Sequence, residues 1–434
     1  MSELGQIGRR AFVAIKRLAT GDRVRRWLFS ALRRFAPVLR IRDTVIVTRL
    51  DDVQAVLSHH EVFSVRRFGV RMRETAGDFF LGHDDDAAYR SDKDAARQVM
   101  TALDARWPAQ VFTLALKRAQ AVIQARAGAG NHLDVVKDLA DEVPVRVVED
   151  YFGVSNPGGR TLLEWVQNMS WYIFNPLASE ADRERGVLAG KQLREHVERL
   201  IASSLRRRST PPACNVLDGL VLLAAPDAVA RTICGLVAGT LGPPPRQFAR
   251  AIDRLLLMPP DAFARVQAAA AACDVVRLVQ YIREASRFAP EPSIIYRTCE
   301  HDWRVNGTAI AAGRTVLCMI ESALMDGRPG RVPRPTVLDP DRHPGQQMIF
   351  GYGLHACMGE AIGLQLLAGM AMPLLALPGL RRARGGAGRL RFGEVGRYPD
   401  ENYPQHLLVC YERGKSGLAR AAPDDRESSS ARTS

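Results

Sequence analysis

The chain has 434 residues, 47% apolar and 25% charged, with 35 glycines and 25 prolines. That balance belongs to an ordinary globular protein and excludes a disordered chain, a collagen-like fibre and a disulfide scaffold. The formal net charge of +13 is mainly local, because Arg9, Arg10, Lys16, Arg17, Arg23, Arg25, Arg26, Arg33 and Arg34 face only Glu3 and Asp22; no basic stripe is interleaved with aromatics, which argues against nucleic acid as a partner.

The cysteines Cys214, Cys234, Cys273, Cys299, Cys318, Cys357 and Cys410 are scattered, odd in number and never spaced C-x-x-C. This argues against structural zinc and disulfides, and fits a reducing cytoplasm. No apolar run followed by a small-residue cleavage site marks a secretory signal at the start.

In chain order, residues 9–36 read as amphipathic helix, with Phe12, Ile15, Leu18, Trp27, Leu28 and Leu32 opposite arginines. The reading is a docked surface helix; a peripheral membrane contact or an acidic partner is the functional alternative. Val38–Val47 alternates as a strand or hairpin, and a helix follows at Leu50–Leu57 with Asp51 and Asp52 in its first turn. Helical periodicity then covers 93–127, 138–151, 159–172, 180–206 and 227–258. Beyond residue 290, Ser293–Thr298, Trp303–Asn306 and Thr308–Ala311 are β-prone, with a turn at Asn306-Gly307. Arg328–Gly345 is too proline-rich for regular structure. Helix returns from about Cys357 to Leu377, and Gln405–Tyr411 is a final strand. The uncharged run Ala361–Leu380 is long enough to span a bilayer, but Gln365, Pro373 and Pro378 interrupt it, so a buried core helix is expected. Residues 37–413 are expected to form one domain, after a basic extension (1–36) and before a disordered tail (414–434).

The segment Phe350-Gly351-Tyr352-Gly353-Leu354-His355-Ala356-Cys357-Met358-Gly359 ends a loop and leads into an apolar helix. Its glycines permit tight backbone and close approach of a flat group, and a thiolate at a helix mouth is a soft metal ligand. This spacing, F-G-x-G-x-H-x-C-x-G, resembles the haem loop of the cytochrome P450 family, specifically its soluble bacterial members. The resemblance implies a mainly α fold with small β-sheets, a haem b prosthetic group and Cys357 as the thiolate ligand to iron. It places Phe350 beside the sulfur, Gly351 in the turn, His355 against a haem propionate and Gly359 where the helix passes under the macrocycle.

Upstream, Glu284 and Arg287 match the family's buried E-x-x-R pair. In relatives a third arginine joins the pair; here Val337 stands in its place, and Arg334 or Arg342 is left to substitute. Arg297 matches a propionate-binding arginine, while Tyr89 and Lys93 stand where many relatives carry H-x-x-x-R.

The departure lies in the distal helix, where relatives read A-G-x-(D/E)-T. Here Ala238-Gly239-Thr240-Leu241-Gly242-Pro243-Pro244-Pro245 loses both acid and alcohol, which leaves Thr240, Gly242 and Pro243 as the positions to examine. Three prolines lack backbone donors, so a kink or break is expected.

The resemblance favours a monooxygenase that takes electrons from an acidic ferredoxin-type redoxin and its reductase, in the cytoplasm, with secondary metabolism as its setting. The missing acid–alcohol pair leaves two alternatives: a peroxide-using peroxygenase or isomerase, and an inactive haem- or ligand-binding relative or partner subunit. Phe68, Phe79, Phe80, Trp171, Tyr172 and Phe174 suggest an apolar small-molecule substrate.

Overall fold

The architecture is that of a computed structural model, described for residues 22–103, 109–127, 130–176, 178–207, 214–395 and 398–412. The expected helix over 9–21 and the expected disordered tail from 414 lie outside the described residues.

Helix α1 (Asp22–Phe35) leads into hairpin β1 (Val38–Ile41) and β2 (Thr44–Val47), then α2 (Leu50–Ser58), β3 (Phe63–Ser64), α3 (Arg66–Glu74), α4 (Ala87–Leu103), α5 (Ala109–Ala127) and β4 (His132–Asp134). The expected helix over 138–151 is α6 (Val143–Val147) flanked by wider π turns at Val135–Ala140 and Val148–Phe152. Next come α7 (Thr161–Phe174), α8 (Glu180–Arg207), α9 (Val216–Val221), α10 (Pro226–Leu241), α11 (Pro243–Leu255), α12 (Pro260–Ala271) and α13 (Val275–Arg287). Strands β5 (Ile294–Cys299), β6 (Trp303–Val305), β7 (Thr308–Ile310) and β8 (Thr315–Met319) precede α14 (Ile320–Ala323) and α15 (Glu360–Leu375). The chain closes with β9 (Arg381–Arg382), β10 (Arg391–Val395), β11 (Tyr398–His406) and β12 (Leu408–Cys410). Helix dominates and the sheets are small, as the sequence led us to expect.

The largest sheet has the order β1-β2-β8-β5-β3, with β2 and β8 parallel and the other pairs antiparallel. The sequence pattern missed β8 because Val316, Leu317, Cys318 and Met319 are all buried; a strand covered on both faces reads as a continuous apolar run without alternation. Alternation along β5 sets its function: Ile295 and Arg297 share one face, Tyr296 and Thr298 the other.

The uncharged run forms α15, whose side chains from Leu366 to Leu375 are all buried, against α5 and α13. It continues past Pro373 to Leu375, because a missing N–H in the last turn removes one bond while packing holds the rest. A β-carbon on Gly369 would stand 2.7 Å from the Phe112 carbonyl, so glycine there sets how closely α15 and α5 approach. Among the described residues, no helix is long and apolar enough to cross a membrane.

Two of the N-terminal arginines dock α1. Arg25 pairs with Glu321 at 2.8 Å, and Arg33 donates to the carbonyl and hydroxyl of Ser322 at 3.0 and 2.9 Å. Val24, Trp27 and Phe35 stay exposed on the opposite side.

Candidate active site

Cys357 lies in a tight turn three residues before α15. Its N–H donates to the Phe350 carbonyl at 2.8 Å, which closes the loop, and Gly351 and Gly353 take positive φ values of 77° and 73°. A β-carbon on Gly353 would meet the Leu57 carbonyl oxygen at 2.4 Å, so any larger residue would push the loop off α2. Burial pushes the Cys357 thiol up to about 11, against a backbone hydrogen bond from Gly359 that favours the thiolate. The sulfur sits deep in the fold yet the residue is accessible. A free thiol here stays protonated at neutral pH, and a metal ion at the sulfur would reverse that balance.

Beneath this loop lies a buried charge network. Glu284 and Arg287 are fully inaccessible, and Arg287 Nη2 donates to Glu284 Oε1 at 2.7 Å. Arg342 Nε donates to the same carboxylate at 3.1 Å, Gln347 Nε2 at 2.8 Å and the Asp339 N–H at 3.2 Å. Arg342 is therefore the third arginine; Arg334 is exposed and pairs weakly with Asp339 at 3.6 Å. Val337, where the arginine was sought, contributes its carbonyl to both guanidiniums, at 3.2 and 3.3 Å. Nothing in the sequence singled out Gln347, whose role depends on the path of the proline-rich loop.

The sequence-predicted propionate ligands converge. His355 and Tyr89 meet edge to face at 5.6 Å between ring centroids, Tyr89 Oη donates to the Leu354 carbonyl at 2.7 Å, and Lys93 donates to Tyr89 Oη. Both His355 ring nitrogens are buried without a hydrogen-bond partner, the nearest carboxylate oxygen being Asp84 Oδ1 at 3.7 Å. Burial, followed by the Arg297 charge among the lowering causes, holds the imidazole below its ordinary value. Arg297 is 5% exposed, and its Nη1 donates to the Tyr296 carbonyl at 2.9 Å. Among the described residues, a buried imidazole with two unmet nitrogens stands beside a buried guanidinium lacking a carboxylate within ion-pair distance, a set of groups suited to an anion.

The distal helix breaks where expected. Gly242, at φ −81° and ψ −82°, separates α10 from α11, and its N–H donates to the Ala238 carbonyl at 3.0 Å. Pro243 to Pro245 cannot donate to the carbonyls of Gly239, Thr240 and Leu241. Thr240 is buried, and its Oγ1 donates to the Leu236 carbonyl at 2.9 Å. Gly242 is buried and Pro243 half-buried. A β-carbon on Gly239 would meet no atom within 4 Å, so α10 presents bare backbone there, a surface suited to close approach by a flat group. Of the suggested substrate aromatics, Phe68, Phe79, Phe80 and Tyr172 are buried in the core, with Phe174 partly buried against it.

These features fit a haem: a soft ligand on a glycine loop, unmet buried donors for carboxylates, and bare backbone on the distal helix. No protein-family model matches the chain. It is 24% identical over 376 residues to the mycinamicin IV hydroxylase/epoxidase of Micromonospora griseorubida, covering 81% of this chain and 88% of that protein. It is 27% identical over 375 residues to the nocardicin C N-oxygenase of Nocardia uniformis subsp. tsuyamanensis, covering 82% and 88%. A solved structure of a mutant of P450 EryK in complex with erythromycin B matches with a TM-score of 0.70 and 21% identity, over 91% of this chain and 97% of that one. Fold, haem-thiolate loop and relatives agree: the chain has the fold of the cytochrome P450s and is similar to them along most of its length.

Proposed function

We propose that the chain is a monooxygenase acting on an organic small molecule, and that the observation carrying this reading is the Cys357 loop seated above unmet buried donors. Two relatives act as a hydroxylase/epoxidase and an N-oxygenase, which supports oxygenation as the reaction class. When bound, the haem supplies the dioxygen and one-electron chemistry that no side chain has.

The side chains then have separate tasks. Cys357 would hold the iron, with the Gly359 N–H tempering the charge on its sulfur. His355, Arg297, Tyr89 and Lys93 would neutralise and orient the propionates, Lys93 as a point charge without the planar fork of an arginine. Phe350 covers the sulfur side. The Glu284–Arg287–Arg342 network holds the loop that carries Cys357 in place. At the helix break, the carbonyls of Gly239, Thr240 and Leu241 receive no N–H from Pro243 to Pro245 and would be open to water, the group that would have to move protons there in place of the missing acid and alcohol.

An acidic redoxin suits the chain's positive charge as electron donor. The exposed Val24, Trp27 and Phe35 beside Arg26 and Arg34 support a peripheral contact with anionic membrane, checked by co-sedimentation with anionic and neutral vesicles.

The test is spectral and then catalytic. Purified protein should carry haem and give the long-wavelength reduced carbonyl band of thiolate ligation, and C357A should lose it. Product formed with NADPH, a surrogate redoxin and its reductase supports the monooxygenase; product formed only with hydrogen peroxide replaces it with a peroxygenase.

A further inference from the structure

We propose that the cleft between α1 and residues 325–336 is a binding site for a phosphate-bearing ligand with an apolar part. The inference goes beyond the monooxygenase reading and uses none of the residues assigned to the haem.

The cleft encloses about 530 Å³, a volume within the range of small-molecule sites. One face of α1 forms a wall, since Arg26, Phe29, Ser30, Arg33 and Arg34 follow the helical repeat. Arg49, just before α2, adds a fourth guanidinium, and Met325 and Pro335 give an apolar side together with Phe29. By the same repeat the exposed Trp27 and Phe35 fall on the far side of α1, so the cleft is distinct from the proposed membrane contact.

The charge in the cleft is uncompensated. Among the described residues, none of Arg26, Arg33, Arg34 and Arg49 has a carboxylate within ion-pair distance. Arg33 donates to the carbonyl and hydroxyl of Ser322, and Arg49 Nε to the Arg33 carbonyl at 2.7 Å, all neutral acceptors. Burial works against the Arg33 cation, with the Asp326 charge offsetting it in part. The two acids that line the cleft are engaged: Glu321 holds Arg25 at 2.8 Å, and Asp326 accepts from Arg328 at 2.6 Å and from the Leu50 N–H at 3.0 Å. Like charges around one cleft repel each other, and a bound dianion reverses that balance. A carboxylate answers one guanidinium fork, whereas a phosphate presents three oxygens to several.

The cleft also touches the buried charge network. Phe288 lines it and its ring centroid lies 4.5 Å from the Arg287 guanidinium; Met325 Sδ lies 3.5 Å from Arg287 Nη1. An occupant that orders these two side chains should therefore be felt in α13.

The experiment uses the full-length protein in phosphate-free buffer, with ADP and dihexanoyl phosphatidate as probes and adenosine and dihexanoylglycerol as their phosphate-free matches. By calorimetry at least one phosphate probe should bind ten times more tightly than its match, the scale of one charge-assisted hydrogen bond. ADP alone assigns a nucleotide, the phosphatidate alone a lipid headgroup, and both a general phosphate site. Arg26 and Arg34 are exposed, so R26Q/R34Q should keep the wild-type unfolding midpoint while weakening binding at least tenfold; R26K/R34K should retain part of the affinity. R97Q/R206Q, which removes the same charge at exposed positions on α4 and α8, should bind as wild type does. The bound probe should slow hydrogen exchange in α13 of the wild type and not of R26Q/R34Q. No preference for either phosphate over its match overturns the proposal, as does R26Q/R34Q binding equal to wild type. So does an R97Q/R206Q protein weakened as much as R26Q/R34Q, which would reduce the effect to the overall charge of the chain.

Discussion

Ser170 Oγ lies 3.0 Å from the point where a β-carbon on Gly242 would stand, so a side chain of α7 occupies the space that an alcohol in the distal helix would need. The same β-carbon would come within 2.8 Å of the Ala238 carbonyl oxygen. The missing alcohol is thus built into the packing of α7 on α10, and one substitution does not bring it back. G242T is expected to destabilise the protein by about 1–3 kcal/mol through overpacking, measured by denaturant unfolding. Ser170 is 1% exposed and its hydroxyl has no hydrogen-bond partner among the described residues; S170A should be neutral or stabilising by about 1 kcal/mol. A loss of stability in S170A would mean that the hydroxyl is satisfied by bound water.

Glu284 collects both guanidiniums and Gln347 in a space closed to solvent, so its removal leaves two buried cations unpaired. E284Q and R342A should each cost about 3–5 kcal/mol, with haem content falling in parallel because the network supports the Cys357 loop. R334A, at an exposed position, should stay within about 0.5 kcal/mol of wild type. An R334A protein as unstable as R342A would reverse the assignment of the third arginine.

Among the described residues, His355 buries both ring nitrogens without a hydrogen-bond partner and Arg297 buries a guanidinium without a carboxylate within ion-pair distance, a cost that carboxylates offset. H355A and R297Q are expected to lower haem retention on dialysis against apomyoglobin, the double variant more than either single one. In the haem-free state R297Q should be no less stable than wild type, since it removes a buried, unpaired charge. Equal haem retention by all the variants would exclude these residues as propionate ligands.

Glu74 ties α3 to α7 and α8. Its carboxyl is held below the ordinary value first by hydrogen bonds from Arg183, then with help from Tyr172. A carboxyl depressed in the folded state adds stability above the unfolded value near 4.5, and that stability is lost as pH falls through the lower folded value. Hydrogen exchange in α3 should therefore accelerate on acidification through that window. E74Q should exchange faster at neutral pH with a flatter acid response; an unchanged profile in E74Q would place the clamp elsewhere.

By itself, the sequence determined the chemistry of the site. Cys357, its glycines and His355 are neighbours in the chain, and Glu284 with Arg287 forms an i, i+3 pair, so local geometry delivers each group without help from distant residues. The prolines after Gly242 dictated the helix break for the same reason, since a missing N–H is a local property. Tertiary structure decided everything that depends on which segments meet. It selected Arg342 over Arg334, because burial depends on the path of a loop without periodicity. It set Ser170 against Gly242, because α7 packs on α10. It also brought the arginines of α1 and Arg49 to one cleft with Met325, from segments far apart in the chain. Charges that look like solvated surface in a sequence are revealed as buried, paired or left beside an aromatic ring only by packing, which sets which segments meet.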